Sequence, residues 1–438
     1  MKDLSGLYHA IRWRSVFMWL LPILFFAYQL TFRLWLGLVK ADVMHQFSID
    51  ATGFGLLSSI YYYGYAGMQI PVGLLIARKG PGFALLTMTW LCGIGGLIFS
   101  CTNNYALALL GRFLIGTGSA VGFLAACAVI SLFFPKKDYA RMVGLTFTLG
   151  LSGAIFGGGP LSSLITKYSG QTVGVALSFG ACIIGTFGYI FLRKPPGQPE
   201  NQQDPLNTNS SPSSVQLKAE DFWKLVSCKW IWMIGAVNLL LVGVLEGLVD
   251  AWGPDFLVQA YHYSNSEAAY LVSYIFFGLI MGGPLLTSLA KKISVYTLIS
   301  FCGLGIFLFL TAVLTGIVTN TLLLSALLLI IGVMCCYQAL IFASIPQWVS
   351  ERYLGVATAF LNCLNMAGGL FFHTLIGLTT DFFWAGELSA TGAKVYDLTA
   401  YRYGLGLIPL SALVGTVIIF FVGYRLRKMT LPLISENR

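Results

Sequence analysis

Twelve stretches of predominantly apolar residues constrain the fold of this chain more than any other feature of its sequence. A helix needs about 20 such residues to cross the hydrocarbon core of a bilayer. The stretches are long and continuous, which excludes the short alternating strands of a β-barrel. Only 10% of the 438 residues are charged, against about a quarter in a soluble domain. The sequence therefore predicts an all-α polytopic membrane protein. The predicted spans are 16–39, 52–77, 83–101, 105–133, 141–165, 173–192, 231–257, 268–289, 295–318, 322–345, 356–378 and 404–424.

One polar segment divides these spans into two groups of six. Residues 195–222 are rich in Pro, Asn, Gln and Ser near their start, a composition that cannot bury a core. We therefore expect six-helix bundles at 1–194 and 223–438, joined by a cytoplasmic linker. Two similar passages, beginning at Phe47 and Tyr263, support this division. Each follows the first span of its half and places a serine before the next helix, where it suits an N-cap.

Lysines and arginines fall mainly on one side of the predicted spans. With the N-terminus inside, the cytoplasmic side carries 20 of the 26, two lie within spans, and four lie outside, namely Lys40, Lys167, Lys394 and Arg402. This asymmetry predicts that both termini are cytoplasmic, and we expect the membrane to be a bacterial inner membrane. The +9 net charge is scattered rather than clustered, so it does not indicate nucleic-acid binding. The nine cysteines lack paired spacing, so no metal site is expected.

Two motifs resemble those of the major facilitator superfamily. The passage Y-A-G-M-Q-I-P-V-G-L-L-I-A-R-K-G-P-G resembles the family's loop between helices 2 and 3, G-x-L-x-D-R-x-G, with Ala77 in place of the aspartate. The matching positions are Gly73, Leu75, Arg78 and Gly80. The passage R-F-L-I-G-T-G resembles the family's helix 4 pattern, with matches at Arg112, Gly116 and Gly118.

The resemblance implies a monomeric twelve-helix transporter that works by alternating access, and not an enzyme. It implies a gating motif at Gly73, Arg78 and Gly80. Helices 1, 4, 7 and 10 line the substrate cavity in this family, so polar side chains on two of them become candidate substrate contacts: Tyr28, Gln29, Tyr337 and Gln338. Tyr62 and Asn365 interrupt the apolar runs of predicted helices 2 and 11, and we add them as candidates.

Five ionisable residues stand out inside the predicted spans. They are Arg33, Arg112, Glu246, Asp250 and His373. Such groups are costly at membrane depth and are candidates for function. The sequence places all five in one layer, where two cations and two anions can offset each other. Glu246 and Asp250 are four residues apart, so they share a helix face. Either carboxylate could carry a proton, with His373 as a coupling or gating group. The alternatives are static bracing by the ion pairs and a packing role for the histidine.

Arg33 stands fourteen residues before Phe47, which resembles the arginine position of the anion:cation symporters and organophosphate exchangers. A guanidinium can bind a carboxylate through two hydrogen bonds. The acid that the symporters carry in helix 4 is replaced here by Ser119. Predicted helix 7 carries two acids where the phosphate exchangers have an arginine, which disfavours a doubly charged phosphate. We therefore expect a carboxylate, an amino acid or a small peptide as substrate.

The sequence thus predicts a proton-coupled symporter, with Arg33 as the anion-binding group, Arg112 in support, and a proton carried by Glu246 or Asp250. No cofactor is needed beyond the proton gradient. An alternative is a proton-driven exporter of drugs or of a siderophore-type carboxylate, since buried acids suit cationic drugs. A membrane enzyme would require a nucleophile–base pair or a metal cluster, and the sequence shows neither.

Overall fold

The structure is a computed structural model that describes residues 2–135, 138–192, 226–345, 348–349, 354–388 and 394–426. Helices form nearly all the regular structure of these residues, and an isolated antiparallel bridge joins Leu388 to Lys394. The all-α fold class is confirmed. The predicted linker at 195–222 lies outside the described residues, so the proposed domain boundaries stay a prediction.

The helices of the N-terminal half begin with a long helix that carries the first predicted span. They are α1 (Lys2–Leu38), α2 (Lys40–Phe47), α3 (Ala51–Cys101), α4 (Tyr105–Ser119), α5 (Val121–Phe133), α6 (Tyr139–Phe156), α7 (Gly159–Tyr168) and α8 (Gly170–Leu192).

The C-terminal half has the same helical character and includes one π-helix. Its elements are α9 (Lys229–Leu241), the π-helix (Val244–Trp252), α10 (Gly253–Tyr261), α11 (Asn265–Leu289), α12 (Val295–Thr315), α13 (Thr321–Cys335), α14 (Tyr337–Ser344), α15 (Leu354–Phe382) and α16 (Leu398–Leu426).

Eleven segments of the described chain are long and apolar enough to cross a membrane. One of them, α3, has 51 residues, or about 75 Å of helix, which is far more than the roughly 30 Å of a bilayer core. Gly80 interrupts α3 with φ 81° and ψ 163°, a conformation that glycine alone adopts readily, and Pro81 follows it. The structure therefore divides α3 into two consecutive spans, which is consistent with the predicted count of twelve.

The described chain forms two compact units. The first comprises Met1–Phe47 and Ile60–Asn209, and the second comprises Ser48–Ser59 and Ser210–Arg438. In the first unit, α1 packs against α5, α6 and α8. In the second, α11 packs against α13, while α16 packs against α9, α12 and α15. The short segment Ser48–Ser59 is covalently continuous with the first unit on both sides, yet it clusters with the second.

The two predicted serine caps have different outcomes. Ser264 caps α11 in a complete capping box, in which its hydroxyl accepts from the Glu267 amide and the Glu267 carboxylate accepts from the Ser264 amide. At the other passage the prediction is wrong, because Asp50 is the cap. Its Oδ1 atom accepts from the Gly53 amide at 2.8 Å, while Ser48 adopts a positive φ of 51°.

Candidate functional site

Four of the predicted site residues meet in the first unit. The Arg33 guanidinium lies 5.9 Å from the centre of the Tyr62 ring, and the Arg112 guanidinium lies 5.1 Å from the centre of the Tyr61 ring. Tyr61 donates a hydrogen bond to Oε1 of Gln29 at 2.9 Å. Aromatic faces attract cations within about 6 Å. The structure therefore holds both arginines on tyrosine faces; we call Gln29, Arg33, Tyr61, Tyr62 and Arg112 the arginine–tyrosine cluster.

Two glycines, one on α3 and one in the helix 4 motif, explain how this cluster forms. A Cβ atom at Gly116 would overlap the Tyr61 carbonyl group, and one at Gly64 would overlap the Phe113 carbonyl oxygen. Because both positions are glycine, α3 and α4 approach backbone to backbone. This contact brings the Tyr61 ring against Arg112, whose side chain is only 1% exposed.

The second unit brings Asp250 and His373 together, although 123 residues separate them. Nε2 of His373 lies 3.1 Å from Oδ2 of Asp250. The indole nitrogen of Trp252 donates to Nδ1 of His373 at 3.2 Å. The exposed fraction is 3% for Asp250 and 0% for both His373 and Trp252. A buried charge requires such partners, and we call these three residues the His–Asp–Trp group.

Glu246 and Asp250 both lie on the π-helix and are both buried. The sequence predicts an α-helix here, and that detail is wrong. A π-helix is closed by i to i+5 hydrogen bonds instead of i to i+4. Residues four apart still project from nearly the same face of a π-helix, so Glu246 and Asp250 remain on one face as predicted. Their predicted pairing with Arg33 and Arg112 stays a prediction.

Two predicted substrate contacts are hydrogen-bonded to backbone carbonyl groups. The Tyr28 hydroxyl donates to the carbonyl of Leu177 in α8. The Tyr337 hydroxyl donates to the carbonyl of Asn238 at 3.2 Å, and Tyr337 is fully buried. Hydrogen bonds between a side chain on one helix and another helix help to hold membrane helices together. The role of both tyrosines in substrate binding stays a prediction.

Gln338 and Asn365 differ from these tyrosines. Within the described part of the chain, Nε2 of Gln338 and Oδ1 of Asn365 are buried atoms that make no hydrogen bond. A buried polar atom left unsatisfied costs about 1–3 kcal/mol. These two side chains are therefore the better candidates for contact with a bound polar molecule.

The three residues of the predicted gating motif lie around the break in α3. Gly80 supplies the positive φ that the break requires. A Cβ atom at Gly73 would meet no atom within 4 Å, and Arg78 is exposed. Gly80 therefore has a clear conformational role, whereas the contribution of the other two to gating stays a prediction.

Sequence reasoning missed a group of polar side chains around the start of α3. The Lys394 ammonium lies 2.8 Å from Oδ1 of Asp381 and 3.3 Å from Oδ2 of Asp50. Tyr396 donates to Oδ1 of Asp381 at 2.5 Å and accepts from the Ala51 amide at 2.9 Å. The Thr52 hydroxyl donates to Oδ2 of Asp381 at 2.7 Å. We call Asp50, Thr52, Asp381, Lys394 and Tyr396 the loop cluster; it holds Ser48–Ser59 in the second unit.

The ion pairs of the loop cluster persist over a defined range of pH. The Lys394 ammonium donates hydrogen bonds to Asp381 and, over a longer distance, to Asp50. These hydrogen bonds raise the pKa of Lys394 above its ordinary value of 10.5. Burial and the hydrogen bond to Asp381 raise the pKa of Tyr396. A lysine whose pKa is raised by folding contributes stability that is fully present below its pKa in the unfolded state. This stability is lost as the pH rises through its pKa in the folded state. The cluster is therefore intact at neutral pH and weakens in strongly alkaline solution. It also weakens in strong acid: although burial opposes the change, the hydrogen bonds from Lys394, Tyr396 and Thr52 lower the pKa of Asp381 to about 2, and the ion pair is lost as the pH falls through that value.

Lys394→Met should lower the free energy of unfolding by about 1 kcal/mol, the upper range for a partly exposed ion pair, because two carboxylates lose their cation. Thermal unfolding in detergent measures this loss. Lys167→Met is a matched control, since each lysine lies 5.0 Å from an aromatic ring centre. Equal losses in the two variants would show that the ion pairs add nothing.

A signal for the missed residues was present in the sequence. Lys394 is one of four basic residues on the predicted outer side, and Asp50 and Asp381 lie at the ends of predicted spans on that side. A search for opposite charges on the predicted outer side would have suggested that Lys394 pairs with Asp50 and Asp381. Trp252 had no comparable signal, because its role depends on the position of His373.

Comparison with known proteins identifies the family. A family model described as Major Facilitator Superfamily matches residues 20–373. The uncharacterized transporter YybO of Bacillus subtilis (strain 168) is 25% identical over 306 residues, which cover 66% of this chain and 69% of that protein. The probable galactarate/D-glucarate transporter GudP of the same strain is 24% identical over 313 residues, covering 66% and 67%.

The fold also matches solved structures. One is a bacterial homolog to the human lysosomal transporter Spinster, in an inward-facing and unoccupied conformation. The TM-score is 0.69 at 15% identity, and the match covers 94% of this chain and 96% of that one. At this identity the likeness establishes the fold alone.

Proposed function

Since the chain belongs to the major facilitator superfamily, we propose that this membrane transporter is a secondary active carrier of small organic anions and that proton uptake drives it. The expected substrates are carboxylates, amino acids with a free carboxylate, or small peptides. The observation that carries this proposal is the arginine–tyrosine cluster, which holds two guanidinium groups within apolar helices. The transporter class is established, and the chain is not an enzyme.

The arginine–tyrosine cluster suits an anion for a chemical reason. A guanidinium offers paired N–H donors that fit the two oxygens of a carboxylate. An aromatic face attracts a cation without consuming these donors. The ring partner Tyr62 therefore supports a charged Arg33 in an apolar setting, and in this proposal the substrate carboxylate binds the guanidinium. The name of the relative GudP, a probable galactarate/D-glucarate transporter, supports a carboxylate.

The proposed driving reaction is proton uptake at Asp250 and His373. A buried carboxylate hydrogen-bonded to an imidazole has two adjacent sites for a proton, and ionisable groups inside membrane spans commonly serve as proton relays. Nε2 of His373 lies 3.1 Å from Oδ2 of Asp250, so a proton bound by either group affects the other. Glu246 lies on the same π-helix and is the other candidate.

Arg33→Gln should raise the KM for a carboxylate about 10- to 100-fold, since it removes hydrogen bonds to a charged group worth about 1.5–3 kcal/mol. The assay measures uptake into proteoliposomes with an alkaline interior, using galactarate, lactate, glutamate and neutral galactose as probes. Arg33→Lys should be intermediate, because lysine keeps the charge without the paired donors.

Arg402→Gln provides the control arginine, because Arg402 donates to the Leu314 and Thr315 carbonyl groups and should not alter KM. Uptake of galactose alone, or equal effects of the two arginine substitutions, would contradict the anion proposal. Efflux coupled to proton entry, with no uptake, would favour the exporter alternative.

A further inference from the structure

We propose that Trp252 is a positioning residue that keeps the His373 ring neutral and thereby makes Asp250 the group that carries the transported proton. This inference rests on the proposed proton coupling and goes beyond it, because it assigns the proton to one member of the pair. It depends on hydrogen-bond direction, on burial and on the packing of Ser48–Ser59.

Hydrogen-bond direction fixes the tautomer of His373. An indole N–H can only donate, so Nδ1 of His373, 3.2 Å from the indole nitrogen of Trp252, must be the acceptor and carries no proton. The proton of the neutral ring then lies on Nε2, from which it is donated to Oδ2 of Asp250 at 3.1 Å. The three side chains form a chain of donors and acceptors from indole to imidazole to carboxylate.

This chain of hydrogen bonds decides where an additional proton can bind. A second proton on the ring would have to occupy Nδ1, where it would face the indole N–H and break that hydrogen bond. Protonation of the carboxylate leaves both hydrogen bonds in place, because Oδ2 of a carboxylic acid can still accept from the Nε2–H group. The proton taken up therefore binds Asp250, and its release restores the carboxylate without a change at His373.

Packing keeps the indole in this position. The Phe54 ring meets the Trp252 ring edge to face, with centroids 5.5 Å apart and planes at 89°. A Cβ atom at Gly55 would overlap the carbonyl oxygen of His373, so the glycine allows the two backbones to touch. The segment Ser48–Ser59 thus covers the His–Asp–Trp group, and the loop cluster holds the end of this segment in place.

The other charged and titratable groups on the elements around the pair have interactions of their own. Glu246 shares the π-helix with Asp250, and Tyr337 interacts electrostatically with Glu246. Arg33 and Arg112 are the cations that the sequence predicts for these carboxylates. Other groups on neighbouring elements have the following partners: Asp50 and Asp381 with Lys394, Tyr401 with Asp255, Tyr261 with the Val313 carbonyl, Glu267 with Ser264, Arg402 with Leu314, Tyr403 on Phe383, and Lys229 on Trp230.

The test is the pH profile of proton-driven uptake in Trp252→Phe. Without the indole N–H, the imidazole can accept a proton at Nδ1 and form an ion pair with Asp250, so protonation becomes easier. The midpoint of the profile should move up by about one pH unit, equivalent to a tenfold change in proton affinity.

Trp35→Phe is the matched control, since Trp35 is also buried and donates over the same 3.2 Å, but to the neutral carbonyl of Gly170. It should leave the midpoint unchanged, although it too loses a hydrogen bond and ring volume. Equal midpoints in Trp252→Phe and Trp35→Phe would overturn the inference.

A double-mutant cycle keeps the test decisive if Trp252→Phe lowers activity for structural reasons. His373→Gln supplies a neutral donor to Asp250 that cannot be protonated, so adding Trp252→Phe to it should cause no upward shift. An upward shift in that background would overturn the inference. Failure of the proposed function looks different, because wild-type uptake itself would then be independent of pH.

Discussion

Replacement of Asp250 by Asn should abolish uphill uptake driven by a pH gradient while leaving exchange of substrate across the membrane. Asparagine keeps the shape of the side chain and still offers an oxygen to the Nε2–H group of His373, whose distance to the carboxylate is 3.1 Å. It cannot release a proton. A gradient of one pH unit supplies about 1.4 kcal/mol per proton, so accumulation of a monoanion by one-to-one symport should fall from about tenfold to none.

Proteoliposomes loaded with unlabelled substrate provide the control, because counterflow requires binding and conformational change without net proton movement. Asp250→Asn should retain counterflow. Glu246→Gln is the second arm, since either carboxylate could carry the proton according to the sequence. If Asp250 is the carrier, Glu246→Gln keeps uphill uptake; accumulation by Asp250→Asn at the wild-type level would remove Asp250 from the mechanism.

Gly153→Ala should be among the most destabilising single substitutions in the first unit. An added Cβ atom would overlap the backbone carbonyl of Ala27, so α1 and α6 would have to separate. Their separation would also weaken the 2.7 Å hydrogen bond from the Thr31 hydroxyl to the Gly153 carbonyl. Overpacking of this kind costs about 1–3 kcal/mol, and more when a backbone cannot move. Thermal unfolding in detergent measures the loss.

Gly144→Ala is the matched control, since Gly144 lies on the same helix, is exposed, and has no atom within 4 Å of an added Cβ. Alanine favours a helix over glycine by about 1 kcal/mol, so this variant should be as stable as the wild type or slightly more so. If both alanine variants unfold at the wild-type temperature, close contact between α1 and α6 is not what requires the glycine.

The fold was largely predictable because bilayer thickness imposes long apolar segments, and a sequence displays such segments directly. The break at Gly80 could also be anticipated, since a Gly-Pro pair ends a helix. The π-helix could not. Over nine residues, the apolar patterns of an α-helix and a π-helix differ too little to distinguish them, and only the hydrogen bonds of Val244–Trp252 reveal the difference.

The candidate site was predictable as a set of residues but not as a set of contacts. Arg33, Arg112, Asp250 and His373 stood out because charge is rare inside the spans. The bond between Asp250 and His373 depends on how α15 packs against the π-helix, which no local pattern encodes. The hydrogen bond from Trp252 to His373 was harder still to predict from the sequence, since tryptophan in a membrane protein usually indicates packing or a position at the membrane interface.

The π-helix also determines where the Asp250 side chain lies around the axis of its span. Each π-type turn holds a surplus residue relative to α-helical winding. If hydrogen bonds over Val244–Trp252 were rewound to the α-helical pattern, one surplus residue would be expelled, and the following residues would rotate by about 100°. The carboxylate would then no longer face the imidazole of His373, so the hydrogen bond between them depends on the π-type winding of this span.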